Sequence, residues 1–468
     1  MKINHLKLKN YRCFNEINID FHSQLTLIVA KNGMGKTTIL DALKVALWAY
    51  VSSFDLGRAA NDVTGIQVDD VRLNLQDNGN SEPILDSAIE VFGDCFGITQ
   101  WKRYRESVAK NTKTKDDNNV KKLKTKLKNI QAKIFSESME HNDLPIICYY
   151  GTGRLWSQKK LTIDNNSNPS AQSRTFAYRD CVDPSSSFKN FADWYRNIFM
   201  SYREAQIKIQ EKYGYNDDSL IPANIINPVK VIQQAVNQVL CKIQPDLTDI
   251  EYSVTMGGEV VLNNRGVGQL KVGMLSDGVR NIVSLVADIA YRCYKLNPHL
   301  GIEACLKAPG VILVDEIDMH LHPAWQQTIV SDLQLAFPDI QWIMTTHSPQ
   351  VLSTVKAESI RVLDNLDTLK THSVSAPSYQ TQGISSFEIL MNIQNVPHIP
   401  DIKISQDVKK YRQLIEDNQD ATPEAKILKQ SLIEHFGGTH PVISDFNNLI
   451  QSINLRNKIA KLKIAKSS

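Results

Sequence analysis

The sequence predicts an α/β fold built on a parallel sheet, with a helical middle lobe, a short basic helical insertion and a helical C-terminal extension. Three stretches carry this prediction. Leu25–Val29 is an apolar run that leads through a Gly-rich segment into the apolar helical pattern Ile39–Trp48. Gly310–Val314 is uncharged and ends at Asp315-Glu316. Ile340–Thr346 is another apolar run, ending at His347. Short uncharged runs of this kind are expected of strands covered on both faces.

The first stretch contains Ala30-Lys-Asn-Gly-Met-Gly-Lys-Thr-Thr38. Strand, Gly-rich loop and helix in that order are the context that makes a Walker A motif credible. Gly33 and Gly35 let backbone N–H groups close around a phosphate, and the helix N-terminus adds to the anion site. Lys36 is placed to reach the β- and γ-phosphates, and the Thr37 hydroxyl to ligate magnesium. Asn32 and Thr38 complete the nucleotide-binding set. Ala30 stands where the pattern asks for glycine, a mild change if its φ is negative.

The second stretch supplies two carboxylates at a strand end. Asp315 is expected to hold the magnesium ion through water, and Glu316 to act as the general base on the attacking water. His347, at the C-terminal edge of a neighbouring strand, fits a γ-phosphate sensor. Between them, Leu275-Ser276-Asp-Gly278 opens an apolar helix and makes a second anion site. Since one loop already serves the phosphates, a second site suggests binding of the nucleotide held by another copy of the chain.

Taken in order, these four motifs resemble those of the ABC/SMC/RecF ATPase superfamily. The resemblance implies an ABC-type P-loop NTPase head that binds ATP with magnesium between two head-to-tail copies. In that family Ser276 and Gly278 would meet the nucleotide in trans and His347 in cis. Tyr11-Arg12-Cys-Phe14 resembles the family's N-terminal strand, which implies Arg12 as a nucleotide contact. Asp318–Pro323 occupies the D-loop position, so His320 and His322 are read as loop residues rather than metal ligands. Pro145–Trp156, His320–Gln326, Thr345–Ser353 and the tail segments Tyr411–Ile415, Ala425–Leu428 and Phe436–Pro441 resemble the ATPases of Septu antiphage systems and their retron-associated relatives. That family implies an HNH nuclease partner (PtuB-like) and action on nucleic acid. A RecF-like repair ATPase without a nuclease is the alternative.

Composition agrees with a globular protein: 42% of residues are apolar and the net charge is +3. Seven scattered cysteines without a CxxC pair argue against a disulfide or zinc scaffold, and a cytoplasmic location without membrane contact is expected. Lys102–Lys133 holds twelve basic residues against three acidic ones, which suits either a phosphate-backbone contact or a solvated helix face. The expected divisions are an N-terminal ATPase lobe (1–100), the basic insertion (101–145), a middle lobe (146–275), a C-terminal ATPase lobe (276–375) and the helical extension (376–468). The extension reads either as a partner-docking region or as a cap on the core. No TOPRIM-like acidic pattern follows His347, so the chain is not expected to cut nucleic acid itself. Gln67 and Gln158 are the two candidates for a Q-loop glutamine.

Overall fold

The computed structural model describes residues 1–57, 64–76, 79–109, 112–136, 142–155, 172–183, 187–366, 371–397 and 399–467. They form two units, residues 1–394 and 395–468. In the first unit, β1 (Lys2–Tyr11) buries Ile3, Leu6 and Leu8. These residues share a face despite their mixed parity because the register shifts between Ile3 and His5. Strand β2 (Phe14–Asp20) returns antiparallel beside β1.

Strand β3 (Leu25–Val29) is buried along its whole length and feeds helix α1 (Lys36–Val51). A helix apolar nearly all round must be covered all round. Accordingly α1 packs against β9, β13 and β14 of the central sheet on one side (their ranges follow) and an antiparallel layer on the other. A small hairpin pairs β4 (Leu73–Leu75) with β5 (Ser81–Pro83). The antiparallel layer then adds β6 (Ser87–Cys95), β7 (Ile98–Arg105) and β8 (Lys115–Asp116), in the order β2-β1-β6-β7-β8. Helix α2 (Asn118–Phe135) follows, with Asp117 accepting from the Val120 N–H as its N-cap.

Residues Trp101–Arg105 therefore belong to a strand, not to the expected basic helical insertion. Trp101, Arg103 and Arg105 alternate inward. Buried Arg103 pairs with Asp116 at 2.9 Å and donates to the Val45 carbonyl at 2.6 Å. Two inward-facing arginines hid the period of two.

The six-stranded central sheet has the order β16-β15-β3-β14-β13-β9. Its first parallel edge is β9 (Ile146–Tyr150), paired in register with β13 (Gly310–Val314). This strand had been expected in the helical lobe. The lobe proper comprises α3 (Ser187–Tyr213), α4 (Ala223–Ile243), the antiparallel sheet β10 (Leu247–Ser253), β11 (Glu259–Asn264) and β12 (Gly268–Lys271), and α5 (Asp277–Leu296). Short α6 (Ala304–Lys307) precedes β13. Helices α7 (Pro323–Gln326) and α8 (Ile329–Ala336) cross over to β14 (Ile340–Thr345). Beyond α9 (Pro349–Leu352), β15 (Ile360–Leu366) pairs parallel with β3 and β16 (Thr371–Ser375) turns back antiparallel. Helix α10 (Ser386–Asn392) packs on α9 and closes the unit.

A buried ion pair fastens α5 inside this unit. Asp288 Oδ2 accepts from Arg292 Nε at 2.9 Å and from the Tyr150 hydroxyl at 2.6 Å, and Arg292 also donates to the carbonyls of Ala177 and Arg179.

The second unit holds α11 (Lys403–Glu416), α12 (Pro423–Phe436) and α13 (Pro441–Ser467) around a core of Tyr411, Ile415, Ala425, Leu432, Ile443 and Phe446. Thr422 caps α12, accepting from the Ala425 N–H, and Gly437 at φ +88° ends it.

Candidate nucleotide site

Strands β13, β14 and β3 are neighbours in the sheet, so their C-terminal ends lie side by side. Ligands of open α/β sheets bind at such edges. The loop after β3 turns through Gly33 at φ +80° and Gly35 at φ +94°. The two glycines differ. A Cβ on Gly33 would meet nothing within 4 Å, whereas one on Gly35 would lie 2.5 Å from Phe14 Cζ and 2.8 Å from Cys13 Sγ. Gly35 therefore seats the loop against the β1–β2 turn. No side chain caps α1, so its first N–H groups face outward with exposed Asn32 and Gly33. Ala30 is absent from the positive-φ residues, and its carbonyl accepts from Lys36 Nζ at 2.9 Å.

Lys36 is buried beneath the loop, and burial lowers its pKa against the opposing pull of Asp315, Glu316 and Asp318. The Thr37 hydroxyl donates to Asp315 Oδ2 at 2.9 Å, and the Thr345 hydroxyl donates to Asp315 Oδ1 at 2.5 Å. A hydroxyl oxygen that ligates magnesium keeps its proton for a hydrogen bond, and the Thr37 hydroxyl already aims its proton at Asp315. The pair therefore fits an ion ligated by Thr37, with Asp315 reaching it through water.

Glu316 is half-buried at φ +50°, a left-handed conformation uncommon for its type, and its N–H donates to Thr345 Oγ1 at 2.8 Å. Thr345 thus holds both carboxylate residues in place. The next loop is tied to the His347 segment twice. Asp318 Oδ1 accepts from the Thr346 hydroxyl at 2.6 Å and from the His347 N–H at 3.4 Å. Gln326 donates to the Leu321 carbonyl at 2.9 Å and accepts from the Ser348 hydroxyl at 2.6 Å. A third tie comes from Gln394, which donates to the His347 carbonyl at 2.8 Å. Burial first, then the Lys36 ammonium, lower the His347 pKa and favour the neutral ring.

Ser276 is exposed at the N-cap of α5 and makes no capping bond. Buried Gly278 packs against the backbone of the loop that follows β13, where a Cβ would come 2.4 Å from the His320 carbonyl. Arg12 at φ +47° pairs with Asp41 of α1 and with Asp70, both at 2.7 Å. It braces the first turns of α1 from the side. His322 accepts from the Ala324 N–H as the N-cap of α7, and no metal-binding cluster occurs among the described residues. Gln67 folds back on Gly65, while Gln158 and Trp156 lie outside the described residues.

Thr345, Asp318 and Gln326 lie in segments that carry the resemblance but were given no individual role from sequence, and Gln394 was not singled out at all.

Fold and site together define a P-loop ATPase of the ABC/SMC/RecF type. The chain belongs to the AAA domain family, whose profile matches residues 5–243; a second AAA domain profile matches residues 170–353. It is similar to the "Retron Vc95 probable ATPase" of Vibrio cholerae serotype O1 biovar El Tor, 25% identical over 474 residues, covering 93% of this chain and 88% of that protein. It is similar also to the "Retron Ec83 probable ATPase" of Escherichia coli, 27% identical over 483 residues, covering 93% and 84%. A shorter match, 41% identical over 93 residues, covers 20% of the chain and 12% of the Septu protein PtuA of Bacillus mycoides.

Proposed function

We propose that this chain is the ATP-binding and slowly hydrolysing subunit of a Septu-like antiphage complex, in which two copies join head to tail on ATP and control an HNH nuclease partner acting on nucleic acid. The observation that carries the ATPase reading is the Thr37–Asp315–Thr345 hydrogen-bonded set, which joins three separate sequence motifs at one strand edge. The defence context is supported by likeness to the retron ATPases along nearly the whole chain and to Septu PtuA over a part.

In this reading the N–H groups of the 31–37 loop and the Lys36 ammonium bind the phosphates, with Asn32 and Thr38 at the loop's edges. The Thr37 hydroxyl would ligate magnesium and Asp315 hold it through water, and the ion when bound offsets phosphate charge. Glu316 takes the proton of the attacking water, oriented by its backbone bond to Thr345. Neutral His347 hydrogen-bonds in cis. Ser276, exposed and uncommitted in its own chain, serves the other copy's nucleotide with Gly278, and Arg12 steadies α1. The gain in trans contacts gives ATP its higher affinity for the closed dimer, as a switch requires. The three-helix C-terminal unit docks the nuclease, and the complex works in the cytoplasm. Among the described residues no helix is long and apolar enough to cross a membrane.

The test is Glu316→Gln with light scattering after size exclusion. ATP with magnesium should trap this variant as a dimer; a variant that stays monomeric at every protein and ATP concentration overturns the head-to-tail mechanism.

A further inference from the structure

Over Val120–Asn129 helix α2 sets an apolar side against a basic one. Val120, Leu123, Leu127 and Gln131 are buried, and the helix packs on β7 and α1. The opposite side exposes Lys121, Lys122, Thr125, Lys126, Lys128 and Asn129, and the helix contains no acidic residue. Lys121, Lys122, Thr125, Lys126 and Asn129 line one shallow depression. Lys124, at the margin, pairs with Asp116, which it shares with Arg103, while Lys126 donates to the Phe96 carbonyl. Lys121, Lys122 and Lys128 pair with no carboxylate among the described residues.

We infer that this face binds the phosphodiester backbone of a nucleic acid, without reading its sequence. Spacing supports that partner. Lys122 and Lys126 are about 6 Å apart along the axis and Lys121 and Lys128 about 10.5 Å. The 18-residue helix is about 27 Å long, while a duplex carries one charge per about 1.7 Å of its axis. Several phosphates therefore face the lysines in any register. The exposed side of α2 from Lys121 to Asn129 has no aromatic residue on which a base could stack, so contact is to the backbone. A membrane surface fits less well, because the apolar stripe that would enter a bilayer is already spent on the core. This lysine face shares no residue with the phosphate loop or Lys36, so it adds a partner surface rather than restating the nucleotide site. The inference rests on the nucleic-acid part of the function proposed above, and needs neither ATP hydrolysis nor the nuclease.

The experiment measures anisotropy of labelled duplex DNA, single-stranded DNA and duplex RNA with the full-length protein from about 50 to 200 mM salt. Wild type should bind unrelated sequences alike, with affinity falling steeply as salt rises. Lys121→Gln/Lys122→Gln/Lys128→Gln should weaken binding by on the order of tenfold or more at low salt and lower the log–log salt slope by about three. ATP-dependent thermal stabilisation, which reads the nucleotide site, should be unchanged in that variant. The triple Lys→Arg variant should bind as wild type does, which separates charge from fold. The arm that binds most tightly identifies the source of the backbone. The inference is overturned if no nucleic acid binds, if the glutamine variant keeps wild-type affinity and slope, or if only anionic vesicles or acidic polypeptides bind. Failure there alongside ATP-driven dimerisation leaves the ATPase reading standing.

Discussion

The Thr37 hydroxyl donates to Asp315 Oδ2 at 2.9 Å across 278 positions of sequence, and Thr345 holds the other carboxylate oxygen. Thr37 lies in the first turn of α1, Asp315 just past β13 and Thr345 at the end of β14. Thr37→Val keeps the shape and removes the hydroxyl, at a cost of about 1 kcal/mol in nucleotide-free stability. Its larger expected effect is loss of the magnesium-dependent part of the ATP-induced rise in Tm. Scanning fluorimetry with magnesium and with EDTA checks this, and an unchanged magnesium increment would remove Thr37 from the metal site.

The two loop glycines should respond differently to alanine. Gly33→Ala carries only the left-handed backbone penalty, about 1 kcal/mol, because its surroundings are open. Gly35→Ala adds a collision with Phe14 and Cys13. We expect Gly35→Ala to abolish ATP binding measured by calorimetry, and Gly33→Ala to weaken it about tenfold or less. The reverse order would contradict the loop geometry.

Gln326 joins the Leu321 carbonyl to the Ser348 hydroxyl, and the same loop carries the backbone against which Gly278 packs. Gln326→Leu should leave KM for ATP near wild type and lower kcat about tenfold, since it frees the His347 segment without touching the phosphate loop. A steady-state assay that shows a raised KM with normal kcat would assign Gln326 to binding instead.

The lowered pKa of His347 has a sign that can be checked. Burial and Lys36 disfavour the charged ring in the folded protein, so the unfolded chain takes up the proton first as pH falls. The residue's contribution to stability is complete above the ordinary histidine value of about 6.5 and declines as pH drops below it. In nucleotide-free protein, His347→Asn should therefore lose less Tm than wild type on acidification through that value. Parallel Tm curves would show that His347 titrates normally.

Asp288 and Arg292 are 0% and 1% exposed and paired at 2.9 Å. Removing one partner strands a buried charge, so Asp288→Ala should cost about 3–5 kcal/mol in urea unfolding. Adding Arg292→Met should recover most of that loss. A double variant no better than the single would show that packing around Tyr150, rather than charge, dominates.

Much of this architecture was legible because the central strands β3, β13 and β14 are uncharged and mostly apolar along their whole length. Leu25–Val29 and Gly310–Val314 are strands of those bounds, and Thr422 and Gly437 bound a helix as their residue types suggest. Strand β7 was not legible, since Arg103 and Arg105 face inward and satisfy themselves on distant carbonyls. Strand β9 was obscured by its place between segments of other character; its partner β13 lies far along the chain. The site followed the same division. Residue types fixed by chemistry, such as Lys36 and Asp315, stood out in a motif. A residue that acts by reaching a backbone carbonyl shows no role in its type: Gln326 stood in a recognised segment with its contact unread, and Gln394 stood in none.

Gln394 grips the carbonyl of His347, and it is the last residue of the first unit. The tether to the three C-terminal helices thus begins where the histidine loop is held. The chain leaves the first unit at the residue that pins its histidine loop, with residues 395–402 between it and the start of α11 at Lys403.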